Sequence, residues 1–221
     1  MMTATNLEKA RFNMVEQQIR PWEVNDQTIL DLIKRVPRED FVPPAWRHLA
    51  MADTNIPIGE GQVMMTPVVE ARMLQALQVR PEETVLEVGT GSGYVTALLA
   101  ALARHVYSVE LRPTLLEAAR ARLADGDVLN VTLEEGDAAR EWPRHAPYDV
   151  IVLTGSLSLP PEAYKASLRV GGRLFAILGE APVMEATLFT RTGDSDWRVE
   201  GLFETCLPPL DNAPQPDHFV F

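Results

Sequence analysis

The chain has 221 residues, with 20 Lys and Arg against 31 Asp and Glu, a formal net charge of −11 and a pI near 4.8. That length suits one α/β unit with a short extension, and the acidic balance argues against a nucleic-acid partner, whose phosphates require clustered cations. The lone Cys206 excludes an internal disulfide, Met1 to Phe12 is too polar for a signal peptide, and no stretch approaches the ~18 apolar residues of a membrane span; a cytoplasmic protein with no membrane partner is expected.

Asn6 to Arg20 predicts a polar helix ended by Pro21, and Asp26 to Val36 a second helix with Leu30, Leu32 and Ile33 partly on one face. From Val36 to Pro67 the chain is punctuated by Pro37, Pro43, Pro44, Pro57, Gly59, Gly61 and Pro67, which predicts a long irregular loop of the kind compact proteins keep for function. Helical spacing returns over Val68 to Leu77, so a boundary falls between residues 1–67 and a main unit, 68–221.

The apolar run Thr84 to Val88 predicts a strand that ends in Glu87-Val88-Gly89-Thr90-Gly91-Ser92-Gly93, and Tyr94 to Ala103 a helix. Glycines at alternate positions let bare backbone approach a ligand, and a strand, Gly-rich turn and helix form the first unit of a doubly wound α/β fold. The dinucleotide fingerprint G-x-G-x-x-G/A would need a small residue where Tyr94 stands. Val106 to Val109 predicts a second strand that delivers Glu110 about 20 residues beyond the glycines, where a carboxylate meets ribose hydroxyls.

Pro113 opens a helix to about Ala124, and Asp125-Gly126-Asp127 closes it. Asn130 to Glu134 predicts a third strand ended by Gly136-Asp137, Tyr148 to Leu153 a fourth, Pro161 to Leu168 a short helix, and Arg173 to Leu178 a fifth strand after Gly171-Gly172. Near-continuous apolar strands alternating with helices imply a parallel sheet buried on both faces. Ala186 to Arg191 and Trp197 to Cys206 predict an antiparallel hairpin, and Pro208 to Phe221 a tail wrapping the surface. The fold expected is a doubly wound, Rossmann-like sheet, mostly parallel, with a C-terminal antiparallel hairpin and an N-terminal helical extension.

Acidic-x-Gly-x-Gly-x-Gly resembles motif I of S-adenosylmethionine-dependent methyltransferases. Over roughly Met14 to Gly179 the chain resembles the protein-L-isoaspartate O-methyltransferase family, through Val36-Pro37-Arg38-Glu39-Asp40-Phe41-Val42-Pro43, Ile56-Pro57-Ile58-Gly59-Glu60-Gly61-Gln62, Val85 to Tyr94, Val106 to Glu110, and Ala146-Pro147-Tyr148-Asp149 before Leu153-Thr154. The resemblance implies S-adenosylmethionine as cofactor, held by Glu87, Gly89, Thr90, Gly91, Ser92, Glu110, Leu111, Gly136, Asp137, Ala138, Gln62 and Val63, with Glu87 toward the methionine part and Asp137 toward the adenine amino group. It implies as acceptor an isoaspartyl carboxylate in a damaged protein or peptide, met by the loop within residues 1–67, with Asp53, Met65, Thr66 and Thr154 at the reaction site.

The family's loop reads Gly-Gln-Thr-Ile-Ser-x-Pro, whereas here Gln62 is followed by Val63-Met64-Met65-Thr66-Pro67, so the two hydroxyls expected at the acceptor are replaced by Val63 and Met65. Thr66, one residue on, faces the opposite side of an extended segment. Each lost hydrogen bond to a charged group costs roughly 1 to 3 kcal/mol. Three readings follow: an isoaspartyl carboxyl methyltransferase, a cofactor-binding homologue without repair catalysis, and a methyltransferase with another acceptor such as a small molecule.

His48, His105, His145 and His218 lack metal-ligand spacing. Glu134 and Glu135 read as strand-end charges, Trp22, Trp142 and Trp197 as packing, and Trp46, in the long loop, as packing or a border of the acceptor cleft.

Overall fold

The computed structural model describes residues 4–216. The N-terminal helix α1 (Ala4–Asn13) does not stop at Pro21: it widens into a π-type turn over Met14–Ile19 and tightens into a 3-10 turn over Arg20–Trp22. It is also less polar than its sequence reads, because Met14, Val15 and Ile19 are buried. Helix α2 (Gln27–Arg35) starts at Asp26, whose side chain accepts from the Thr28 and Ile29 N–H groups, and buries Ile29, Leu30, Leu32 and Ile33.

The expected irregular loop contains structure. Two 3-10 turns, Arg38–Asp40 and Pro44–Leu49, precede a hairpin of β1 (Ile56–Gly59) and β2 (Gln62–Met64). Glu60 (φ 53°) and Gly61 (φ 74°) form its two-residue turn, with both residues left-handed as such hairpins require. Strands of four and three residues are too short to show a period, and Pro57 masks the first. Helix α3 (Pro67–Leu77) follows, N-capped by Thr66 with Pro67 in its first turn.

The main sheet is built from β3 (Thr84–Val88), β4 (His105–Glu110), β5 (Val131–Glu135), β6 (Tyr148–Leu157), β7 (Leu168–Glu180), β8 (Val183–Arg191) and β9 (Trp197–Thr205), in the order β5-β4-β3-β6-β7-β8-β9. The first five pair in parallel and β8 and β9 add an antiparallel hairpin, as the strand pattern predicted. Strands β6 and β7 run beyond their predicted ends, and Gly171-Gly172 lies inside β7 instead of opening it. The connecting helices are α4 (Tyr94–Ala100), α5 (Pro113–Asp125) and α6 (Glu162–Ala166).

Alternate strand residues serve two cores. Val85, Val106, Val150 and Val152 pack with Leu98, Leu99, Met73, Leu74 and the N-terminal Met14, Ile19 and Leu30. Leu86, Val88, Ile151 and Leu153 pack with Tyr164, Trp142 and Leu174 on the other face. Each fully buried large apolar side chain contributes about 1.5–3 kcal/mol, and the N-terminal helices share their core with the sheet. The strand order reverses at β3, so the ligand crevice opens beyond the carboxyl ends of β3, β4 and β6.

Candidate functional site

At the end of β3 the backbone turns through Gly89 at φ +94°. The Gly89 N–H binds the Val109 carbonyl at 2.8 Å, which ties the turn to β4. Glu110, last in β4, accepts the Gly91 N–H at 2.8 Å and the Arg112 N–H at 3.0 Å. Two backbone donors thus fix a nearly buried carboxylate at the crevice wall, with its remaining lone pairs free for a diol.

Glu87 is fully buried. Its Oε2 accepts hydroxyl bonds from Thr96 at 2.5 Å and Ser108 at 2.6 Å, while Oε1 has no partner. Thr90 Oγ1 lies 2.6 Å from Ser108 Oγ and extends the network into the glycine turn. Burial pushes the Glu87 carboxyl up to about 8, against those hydroxyl bonds and with a further push from the Glu110 charge. Ser108 and Thr96 escape sequence reasoning, although a serine inside an apolar strand and a threonine inside an Ala/Leu-rich helix are its faint signal.

The crevice is lined by Ile58, Gln62, Val63, Gly89, Gly91, Glu110, Leu111, Gly136, Asp137, Ala138 and Thr154, with Arg112 and Leu207–Asp211. A smaller adjoining recess is bordered by Met64, Met65, Glu70, Glu87, Thr90, Ser92 and Val95. Every candidate cofactor residue named from the sequence therefore borders one or the other. Of the candidate reaction residues, Met65 and Thr154 do so as well. Thr66 and Asp53 sit at the start of α3 instead: Thr66 Oγ1 accepts the Val69 N–H at 3.4 Å, and Asp53 Oδ1 faces the Val68 N–H at 3.5 Å. Trp46 is 40% exposed and lies outside both linings.

The expected surface tail behaves differently. Ser156 N–H donates to the Pro208 carbonyl at 3.0 Å, Leu210 N–H to the Ser156 carbonyl at 3.0 Å, and Ser156 Oγ to the Leu207 carbonyl at 2.8 Å. Residues 207–210 thus occupy the edge of β6 that β3 vacates, and Leu210 lies where a Gly155 Cβ would stand, 2.8 Å away. Asp211 pairs with Arg112 and Asn212 donates to Asp137 at 2.9 Å, which pins this strap across the crevice. Local sequence carries no trace of contacts between residues 51 to 75 positions apart, or between Arg112 and Asp211. Residues 217–221, with His218 and the end of the expected tail, lie outside the described residues.

Beneath the loop, Arg38 and Glu70 form a fully buried ion pair, and Arg38 also donates to the Met65 carbonyl at 2.5 Å and lies 4.9 Å from the Tyr94 ring centroid. Glu134 accepts from Trp142 Nε1 at 2.8 Å and lies near Arg144 and His145, partners that hold its carboxyl below the ordinary carboxylate range despite desolvation, so it is a local tether and not a solvated charge. Among the described residues no group of three or more His, Cys, Asp or Glu is placed to hold a metal, and no helix is long and apolar enough to cross a membrane.

A doubly wound sheet with a glycine turn at its switch point, flanked by two buried acidic residues, defines an S-adenosylmethionine-dependent methyltransferase of the Rossmann-like class. The family model for protein-L-isoaspartate(D-aspartate) O-methyltransferase matches residues 9–212. The protein-L-isoaspartate O-methyltransferase of Rhodopseudomonas palustris is 40% identical over 201 residues, 90% of this chain and 92% of the relative. That of Methylorubrum extorquens is 42% identical over 202 residues, 91% of this chain and 88% of the relative. The chain belongs to the protein-L-isoaspartate(D-aspartate) O-methyltransferase family.

Solved structures agree on the fold. A Plasmodium falciparum protein described as a protein-L-isoaspartate O-methyltransferase, in complex with S-adenosyl-L-homocysteine, superposes with a TM-score of 0.78 at 18% identity, over 91% of this chain and 98% of that one. Another protein-L-isoaspartate O-methyltransferase gives 0.75 at 23% identity, over 92% of this chain but 65% of its own longer chain.

Proposed function

We propose that the protein transfers a methyl group from S-adenosylmethionine to the carboxylate of isoaspartyl residues in damaged proteins or peptides. The observation that carries this reading is a buried acidic pair, Glu87 and Glu110, joined through one glycine turn and set beside the β1–β2 hairpin in a chain of this family. The cofactor supplies an electrophilic methyl on a sulfonium.

This chain's residues do the rest. Glu110, held by backbone N–H groups, would hold the ribose hydroxyls; Asp137, fixed by the Ala139 N–H at 3.0 Å and by Asn212, would hold the adenine amino group; Glu87, with its unpartnered Oε1, would hold the cofactor's ammonium. A carboxylate is already anionic at neutral pH, so no strong general base is required, and the protein's contribution is alignment and exclusion of water. Thr66 and Asp53 serve by anchoring α3 and the acceptor hairpin. Residues 1–67 form the acceptor-facing part and 68–221 the cofactor-binding part. The exposed free thiol of Cys206 fits a reducing, cytoplasmic setting.

Purified protein incubated with labelled S-adenosylmethionine and an isoaspartyl peptide, beside the aspartyl control, tests this. Transfer to the isoaspartyl peptide alone is expected. Cofactor binding without transfer would favour a homologue that has lost catalysis, and transfer to other acceptors a changed specificity; Val63 and Met65 motivate both.

A further inference from the structure

Glu70 has one oxygen with no assigned purpose. It is 1% exposed, its Oε2 is engaged by Arg38, and its Oε1 has no hydrogen-bond partner. The recess it borders is shared with Val63, Met65, Gly89, Thr90 and Thr154, where acceptor hairpin meets cofactor turn. Arg38 also donates to the Met65 carbonyl, so one guanidinium links the Glu70 carboxyl to the backbone just after the hairpin.

We infer that Glu70 binds the acceptor, its Oε1 presenting a carboxylic O–H to one oxygen of the acceptor carboxylate in place of the hydroxyls missing at Val63 and Met65. This inference rests on the carboxylate acceptor proposed above. Two anions cannot share a water-excluded recess, and one proton between two carboxyls resolves the conflict. That proton comes from solvent as the acceptor binds and stays on Glu70. The acceptor's other oxygen forms the new C–O bond as the methyl C–S bond breaks, leaving a neutral thioether and an ester whose oxygen still accepts from Glu70.

The groups facing Glu70 come from four elements. Arg38 on the first 3-10 turn favours the anion, while Asp53 ahead of β1 disfavours it. Tyr94 on α4 senses Glu70, Arg38 and Glu39, and Glu87 on β3 borders the same recess. Glu39 is itself neutralised by Arg11. Burial outweighs Arg38 and raises the Glu70 carboxyl to about 8 even without an acceptor.

The test is calorimetry of an isoaspartyl peptide binding to protein loaded with S-adenosylhomocysteine, at pH 8.5, in two buffers of different ionisation heat. Wild type is expected to take up about three-quarters of a proton per peptide, the ionised fraction at that pH of a carboxyl titrating at about 8. Glu70→Gln keeps an oxygen for Arg38 and turns an N–H donor to the recess, so it should bind within about threefold of wild type but take up no proton; Glu70→Leu should bind about tenfold or more weakly. In turnover, kcat/KM should fall about tenfold per pH unit above 8 in wild type and stay flat in Glu70→Gln. Proton uptake unchanged in Glu70→Gln, or activity rising with pH because an ionised Glu70 accepts an acceptor N–H, overturns the inference while leaving the proposed function standing. Cofactor-loaded wild type that neither binds nor methylates the peptide overturns both.

Discussion

Thr154 Oγ1 lies 2.8 Å from the Val88 carbonyl and 2.7 Å from the Gly89 carbonyl, and a Cβ at Gly89 would stand 2.3 Å from that same oxygen. This hydroxyl of β6 therefore occupies the space a side chain on the glycine turn would need. Gly89→Ala combines that overlap with a left-handed φ, worth about 1–3 kcal/mol of strain alone. The variant is expected to lose measurable S-adenosylmethionine binding by calorimetry and to melt at lower temperature; normal binding would show that the turn shifts freely.

Glu110→Gln tests the diol site. The amide nitrogen must face one of the two backbone N–H donors, and two charge-assisted bonds to a ligand are weakened, each worth about 1.5–3 kcal/mol. Cofactor Kd should rise roughly ten- to a hundredfold, and the melting temperature should fall, because one backbone donor loses its acceptor at about 1–3 kcal/mol.

Glu87 makes stability depend on pH. Its folded-state value, about 8, lies above its ordinary 4.5, so the folded protein holds the proton more tightly than the unfolded chain. The resulting stabilisation is present in full below the unfolded value and is lost as pH rises through 8, at up to about 1.4 kcal/mol per pH unit. Urea midpoints without cofactor should fall between pH 7 and 9.5 in wild type and less steeply in Glu87→Gln. Parallel slopes would show that the carboxyl is already ionised at neutral pH.

Gly155→Ala displaces the strap without touching the cofactor turn, because its Cβ would lie 2.8 Å from Leu210 Cδ2 and 2.9 Å from Leu210 N. Cofactor should dissociate about tenfold faster in stopped-flow chase, from roughly 1.4 kcal/mol of lost closure. Asp211→Asn, which weakens a partly exposed ion pair with Arg112 and a long 3.4 Å bond from Gln62 Nε2, should change the rate by a few-fold at most.

Val63→Thr restores one loop hydroxyl in nearly the same volume and should raise isoaspartyl turnover several-fold if missing donors limit the reaction. Met65→Ser restores the other but empties a buried site, at about 2–4 kcal/mol. Its turnover is to be compared only where a melting curve shows it folded.

The chain's local order alone determined the strands, their mostly parallel arrangement and the glycine turn. Thr84 to Val88 and Tyr148 to Leu153 are mainly apolar because both faces of a central parallel strand are buried, and glycines at 89, 91 and 93 are visible because bare backbone is a local property. The β1–β2 hairpin was hidden by its brevity, and the buried stripe of Met14, Val15 and Ile19 by the polar residues between them. Tertiary structure decided the rest: that Leu207–Asp211 closes the crevice, that Ser108 and Thr96 hold Glu87, that Thr66 and Asp53 cap α3, and that Glu70, with one oxygen unpartnered, borders the recess. A hydrogen bond or a desolvated carboxyl depends on which distant residues the packed core brings within 3 Å or so, and no periodicity in the chain encodes that separation.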